Sequence, residues 1–548
     1  MPSFRTPRLA LLAAALSTAC AAHAQAPADA RSATDLDAIK VVGERTHTEA
    51  GALGDRALRD TPFAITAVGR EQLEQRQVVS LGEAFLFDPS VTTQVSAYAS
   101  GWSSPIRNRG IDLNYDSYRV NGLQVSSWGT EWPLEVMEQV DLLKGPGGFL
   151  YGFGAPGGIV NYITKKPTDT PTFSAQLGWR EQGIVSGGVD AGGRFGNEEM
   201  FGYRFNAYQE KGETFNGGHV DRKVGALSLD ARLSDALTWT FDGVFQSRDL
   251  SEESPQYYFI GMTSLPRPIA GDVDNSVPGT YYDTRSSLLS TAFTWQINSG
   301  WKASLSYGVT TSWNDVNKIF AYIDDPNGDY NVNVYELGGK SQWKLAQALV
   351  QGGFRTGPLQ HQLVAGVSHQ TGLGWDRPYE WNTIGRANLY QRSAIRHDAV
   401  GSRVMTRGDE TVQQAVFASD TVDFGGGWSV LAGWRYNDFE TKGRYHTYPV
   451  TPTYAVMFKP SEAVTLYASY IESLEAGSRV GNPYINAGDV LGPTISKQYE
   501  AGAKVEASRW NANVAAFRLE RGANIDQPTD AGLRLVQDGI TLYEGVEA

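Results

Sequence analysis

Cysteine is almost absent: the one residue, Cys20, lies within the first 24 positions, so the chain beyond them forms no internal disulfide. Long apolar runs are missing too. Nothing after residue 25 approaches the ~20 apolar residues that a membrane-spanning helix requires, which excludes a helical membrane protein. Lys and Arg number 47 against 60 Asp and Glu, and the net charge of −13 excludes a nucleic-acid partner, which needs a basic surface. No HExxH, CxxC or GxSxG motif occurs, and the seven histidines are scattered. No catalytic site, resident metal or cofactor is therefore expected, and the chain does not read as an enzyme. What is plentiful is glycine and aromatics, 60 Gly with 14 Trp, 26 Tyr and 22 Phe, which favours strands joined by tight turns.

Residues 1–24 read as an export signal, with Arg5 and Arg8 before an apolar stretch and Ala22-His23-Ala24 as the cleavage site. Residues 25–59 have no sustained period and read as a flexible leader. Within it, Ala38-Ile39-Lys40-Val41-Val42 is short and apolar; it is either a fragment of strand or a peptide that adds itself to another protein's sheet edge. Residues 60–167 form a small α+β domain. Phe63–Val68 is strand-like, Arg70–Phe87 has helical spacing, and Tyr118-Arg119-Val120 runs into a turn at Asn121-Gly122.

From residue 171 to 548 the pattern is long alternation. Trp301, Ala303, Leu305, Tyr307 and Val309 form an apolar side, and Lys302, Ser304, Ser306, Gly308 and Thr310 form a polar or small one. Phe293, Trp295 and Ile297 precede them across a hairpin turn at Asn298-Ser299-Gly300. A soluble sandwich alternates as well, but here strands of about ten residues are joined by short turns that alternate with long insertions, Asp249–Asp283 and Gly372–Asp409. The expected fold is a transmembrane antiparallel β-barrel with an N-terminal α+β plug. At roughly 23 residues per strand and connection, residues 171–548 make about 16 strands.

Two local patterns are set aside. Gly152-Phe153-Gly154-Ala155-Pro156-Gly157 spells GxGxxG but precedes a strand-like run, whereas a dinucleotide fingerprint opens a helix. Asp325, Asn327, Asp329 and Glu336 have EF-hand spacing, yet Tyr330 stands where the loop requires glycine.

The order of motifs carries a family resemblance. Ala38–Gly43, Thr61-Pro62-Phe63-Ala64-Ile65, Arg109-Gly110, Val120-Asn121-Gly122, Val140-Asp141-Leu142-Leu143-Lys144-Gly145-Pro146, Leu150-Tyr151-Gly152 and Pro156–Asn161 resemble the plug of TonB-dependent outer-membrane receptors. Gln498–Lys504 and Gly545-Val546-Glu547 resemble barrel segments of the ferric-siderophore branch. The resemblance implies an outer-membrane receptor that imports ferric siderophores, with TonB and its inner-membrane energising complex as partners and outer-membrane lipid around it. It implies that Asp37, Ala38, Ile39, Lys40, Val41 and Val42 act as the TonB box. Plug apices and outer loops would bind ligand through Tyr98, Trp102, Tyr115, Trp128, Trp132, Tyr257, Tyr258, Trp375 and Trp381, since such side chains combine apolar surface with a polar handle. Arg109 would pair with Glu500 and Glu547, Gln139 standing where a second arginine is expected. The family's barrel has about 22 strands. The present chain therefore reads as truncated at its C-terminus. Competing readings are an outer-membrane barrel enzyme such as a lipid hydrolase, and a truncated, non-transporting remnant.

Overall fold

The computed structural model describes residues 47–49, 51–95, 98, 104–113, 115–126, 131–180, 183–392, 395–507 and 510–548. The export signal and the segment Asp37–Val42 lie outside them.

A five-stranded sheet is the centre of the plug. Ile65–Gly69, Met137–Lys144, Gly158–Thr164, Tyr118–Val120 and Leu123–Gln124 lie in that order. Met137–Lys144 runs antiparallel to both of its neighbours, and Gly158–Thr164 runs parallel to Tyr118–Val120. Val120, Val140, Leu142, Val160 and Tyr162 fill one core with Leu73, Leu81 and Phe85. The turn at Asn121-Gly122 is present, both residues adopting positive φ. GxGxxG also falls in a turn, ahead of the Gly158–Thr164 strand.

Two local expectations differ from the structure. Arg70–Phe87 is not one helix but two, Arg70–Gln75 and Leu81–Ala84, because Gln77 turns to φ 50° and Ser80 restarts the chain by accepting the Glu83 N–H. Glu83 in turn accepts the N–H of Val79, one residue before the cap, a restart that local spacing alone disguised. The leader is also shorter than residues 25–59: Ala52 and Leu53 are fully buried, and Arg56 donates to Thr421 on the wall at 2.8 Å. Apolar contact with Phe417 and Leu431 fixes this part of the chain.

Among the described residues nineteen strands form one sheet around the plug, from Thr172–Arg180 to Gly532–Glu547. Sixteen of them follow one another as antiparallel neighbours; Gln256–Phe259, Glu380–Asn388 and Tyr445–Thr447 are short additions on outer loops. The expected turn at Asn298–Gly300 is tied by the Asn298 carboxamide, which accepts the Gly300 N–H at 2.9 Å. Alternate side chains face outward or into the lumen. Phe245, Leu289, Leu305 and Val367 are exposed on the outside, while Thr310 and Ser312 donate inward to the plug carbonyls of Gln124 and Ser126. No helix among the described residues is long and apolar enough to cross a membrane. The ladder is linear: Thr172–Arg180 bonds to Ile184–Phe195, Gly532–Glu547 bonds to Asn511–Thr529, and no pairing joins the first strand to the last among the described residues.

Candidate functional site

The plug is held to the wall by charge. Arg109 sits at φ 52° on the tight turn before Ile111–Asp112, which aims its guanidinium at the strand Thr494–Glu506. There Nη2 lies 2.8 Å from Glu500 and 2.6 Å from Glu547, while Nη1 donates to Gln498 at 3.0 Å. The ring of Phe517 stacks 4.0 Å from the guanidinium. Glu500 also accepts the Ala64 N–H and the Tyr467 hydroxyl, each at 2.8 Å. Burial works against the charge on Arg109, yet Glu547 and Glu500 raise its pKa above the ordinary value. Arg109, Glu500 and Glu547 are thus brought together.

The second cation is Lys144, not a residue at position 139. Its ammonium lies 2.9 Å from Asp88 and 3.5 Å from Glu547. Burial opposes ionisation of Asp88, but Lys144, Thr66 and Ser90 hold its carboxyl below the ordinary value. Gln139 instead donates to Asp141 on its own strand. Lys504, two turns of the pleat below Glu500, donates to the plug carbonyls of Leu58, Thr61 and Phe63 at 2.6 to 2.8 Å.

Polarity is reversed elsewhere on the wall. Arg222 of the barrel takes both Glu210 beside it, at 2.6 Å, and Glu135 of the plug. The Tyr98 hydroxyl donates to the same Glu210 at 3.1 Å.

Above the plug, Trp301–Ile323 and Asp329–Thr356 run 23 and 28 residues, well past the ~9–11 that a bilayer needs. Their upper halves carry an outer sheet with Gln256–Phe259 and Glu380–Asn388 at its sides. One face of it is an aromatic ladder. Tyr258 stacks on Tyr322 and Phe320 at 5.3 and 5.8 Å, Phe320 meets Tyr335 at 4.5 Å, and Tyr335 meets Tyr379 and Trp381 at 5.6 and 6.3 Å. The Tyr322 and Tyr335 hydroxyls are 2.9 Å apart. Tyr335 also packs on the cluster of Tyr98, Val316 and Leu337, so the ladder rises from the plug apex.

This arrangement, a plug latched inside an antiparallel barrel under an aromatic outer wall, matches known models in both parts. The TonB-dependent receptor-like β-barrel model matches residues 225–533, and the TonB-dependent receptor plug model matches residues 57–159. The chain belongs to the TonB-dependent receptor family. Among curated relatives it is 24% identical to the ferrichrome receptor FcuA of Yersinia enterocolitica, over 87% of this chain and 66% of that protein. It is 21% identical to the ferrichrome outer membrane transporter/phage receptor of Escherichia coli K12, over 91% of this chain and 72% of that protein. The structure of BauA, the ferric preacinetobactin receptor of Acinetobacter baumannii, superposes with a TM-score of 0.82 at 22% identity, covering 92% of this chain and 78% of that one. The chain thus spans about two thirds of the length of the first of these relatives. As a TonB-dependent barrel it is an outer-membrane protein.

Within this TonB-dependent receptor the expected ligand residues part company. Tyr258 and Trp381 stand on the ladder. Tyr257, one residue along, faces the opposite side and meets Tyr330 at 5.9 Å inside the loop core, because adjacent strand residues point to opposite faces. Trp375 is paired with Lys340, which lies 4.9 Å over its ring, and both share the outward face with Trp313, away from the lumen. Trp132 is only 2% exposed and packs in the plug core with Leu134 and Val136. Tyr98 is 3% exposed and joins plug to wall. Tyr115 begins a short turn, Tyr115–Ser117, and Trp102 and Trp128 lie outside the described residues. The EF-hand spacing resolves into a hairpin: Gly328 donates to the Asp325 carbonyl, and Glu336 accepts the Val400 and Gly401 N–H groups and meets His397 at 2.9 Å. No acidic, histidine or cysteine group that could hold a metal ion occurs among the described residues.

Proposed function

We propose that this receptor binds a ferric siderophore at its outer mouth and imports it across the outer membrane in a step driven by TonB. The observation that carries the reading is the aromatic ladder standing directly over a plug that fills the lumen. A ferric chelate offers apolar flanks and hydrogen-bonding edges, and rings such as Tyr258, Tyr335 and Trp381 match both. The latched plug blocks diffusion, so passage needs work done on the plug from the periplasmic side. Asp37–Val42 supplies the means, its main chain pairing with a sheet edge of TonB. Two ferrichrome receptors among the relatives make ferrichrome the first ligand to try.

Deleting residues 37–43 should leave ferric-siderophore affinity unchanged and abolish energised uptake, measured side by side in cells and on purified protein. Uptake by the deletion variant would remove the coupling role; absence of binding to any ferric chelate by the intact chain would remove the ligand.

A further inference from the structure

Most buried cations of the lumen have a carboxylate. Arg109 has Glu500 and Glu547, Lys144 has Asp88, Arg204 has Asp190, Arg222 has Glu135 and Glu210, and Arg377 has Asp315. Arg435 has none among the described residues. It stands on the lumen side of Trp428–Thr441, is 4% exposed, and donates from Nε to the Asn437 carboxamide oxygen at 2.8 Å and from Nη2 to the Ser368 hydroxyl at 3.2 Å. Both acceptors are neutral. The ring of Phe417, 5.1 Å away, adds the weaker attraction of its π face.

Arg119, on the plug strand Tyr118–Val120, is in the same condition. It is 2% exposed, and its guanidinium donates to the main-chain carbonyls of Asp116 and Tyr118 and lies 5.3 Å over the Tyr151 ring. Tyr151 links the two arginines across the seam between plug and wall: Gln413 of the wall donates to its carbonyl at 3.5 Å and to the same Asn437 oxygen as Arg435 at 3.2 Å. Among the described residues the charge that acts on Arg435 is that of Arg119, cation upon cation, whereas Asp116 offers Arg119 a single carboxylate. The group is therefore at least one positive charge in excess, in surroundings where uncompensated charge is strongly unfavourable. A spare donor stands beside it, since the Asn437 amide nitrogen is buried without a hydrogen-bond partner.

We propose that this seam binds a small monovalent inorganic anion of the halide class, held by Arg435 and the Asn437 amide in the field of Arg119. One excess positive charge calls for one negative charge, and side chains this deeply buried leave no room for a large, strongly hydrated oxyanion. The ion compensates a plug cation and a wall cation together, so it fastens the plug to the wall as Glu500 and Glu547 do through Arg109.

The test uses the purified full chain with bromide as the probe. Crystals grown in sodium bromide should show anomalous scattering from a bromide at Arg435 and Asn437. In solution the unfolding midpoint should climb with the logarithm of bromide concentration, measured against sodium gluconate at equal ionic strength. Asn437→Asp keeps an oxygen facing Arg435 and supplies the negative charge from the chain itself, so it should lose both the bromide and the halide dependence while retaining the heat-modifiable migration of a folded barrel. Arg435→Gln, which removes the cation, should lose both as well. A wild-type seam without bromide, or a midpoint that climbs equally with bromide in wild type and Asn437→Asp, would overturn the proposal.

Discussion

Arg109 shows how one side chain decides whether the plug stays put. Its guanidinium meets two carboxylates and a carboxamide from the wall in a site closed to water. Taking away one member of such a buried group leaves opposite charges without a partner, at a cost of about 3–5 kcal/mol. Arg109→Ala should therefore loosen the plug by that order, seen as faster protease cleavage within residues 60–167 while heat-modifiable migration of the barrel persists; unchanged cleavage would mean that Lys144 and Lys504 suffice. Glu131 of the plug is a second residue with a measurable signature. Enclosure pushes its carboxyl from 4.5 up to about 7, against the pull of Arg248. Between those values the folded protein holds a proton that the unfolded chain has lost, so stability falls as pH rises through this window and stays lower above it. Glu131→Gln should leave stability nearly unchanged at pH about 4 and raise it by about 1–3 kcal/mol at pH about 8. Equal effects in denaturant titrations at the two pH values would contradict this account.

At the level of elements, alternation was the legible signal, and its limits follow from where it stops applying. Trp301–Val309 and Phe293–Ile297 lie as the period of two requires, because one face meets lipid and the other a wet lumen. Above the membrane that contrast ends. Ile319, Ala321 and Ile323 continue the outward parity beside Val332 but are covered by Val277 and Leu389, so both faces of the outer sheet are apolar and aromatic content alone did not separate Tyr257 from Tyr258. The same reasoning explains Trp375 and Trp132, one on the outward side and one in the plug core. Arg109, Glu500 and Glu547 were legible through family motifs, whereas Lys144 was in plain view in Leu142-Leu143-Lys144-Gly145 but its partner Asp88 lies 56 residues away in sequence. Lys504 shares the even-numbered lumen face with Gln498 and Glu500, a periodicity that marks it after the fact. The sheet faces yield a sharp contrast. Tyr258→Ala and Trp381→Ala should each weaken ferric-chelate binding by about 1–3 kcal/mol if they are central contacts, while Tyr257→Ala should destabilise the outer loops without that direct loss. Equal loss of affinity in all three, with loop protection from proteolysis intact, would remove the ladder as the binding face.

For the whole molecule the unsettled boundary is the pair of sheet edges. Each main-chain N–H and C=O left unpaired in hydrocarbon costs several kcal/mol, which is why a spanning sheet closes on itself. Among the described residues Thr172–Arg180 and Gly532–Glu547 each have one neighbour, and the plug occupies the lumen. Barrel diameter grows with strand number, so sixteen strands that already wrap a plug do not close round it simply by drawing the two edges together. Cysteine pairs test the geometry cleanly, since the only native cysteine is Cys20. Cysteines at Ala175 and Val189, which face each other in the ladder, should oxidise to a disulfide. A cysteine scanned along Thr172–Arg180 against another along Gly532–Glu547 should give no cross-link at any register in outer-membrane preparations. A ladder of cross-links between those two strands would instead reveal direct closure, and the plug would then have to sit in a narrower lumen than the one its contacts with Glu500, Glu210 and Arg222 describe.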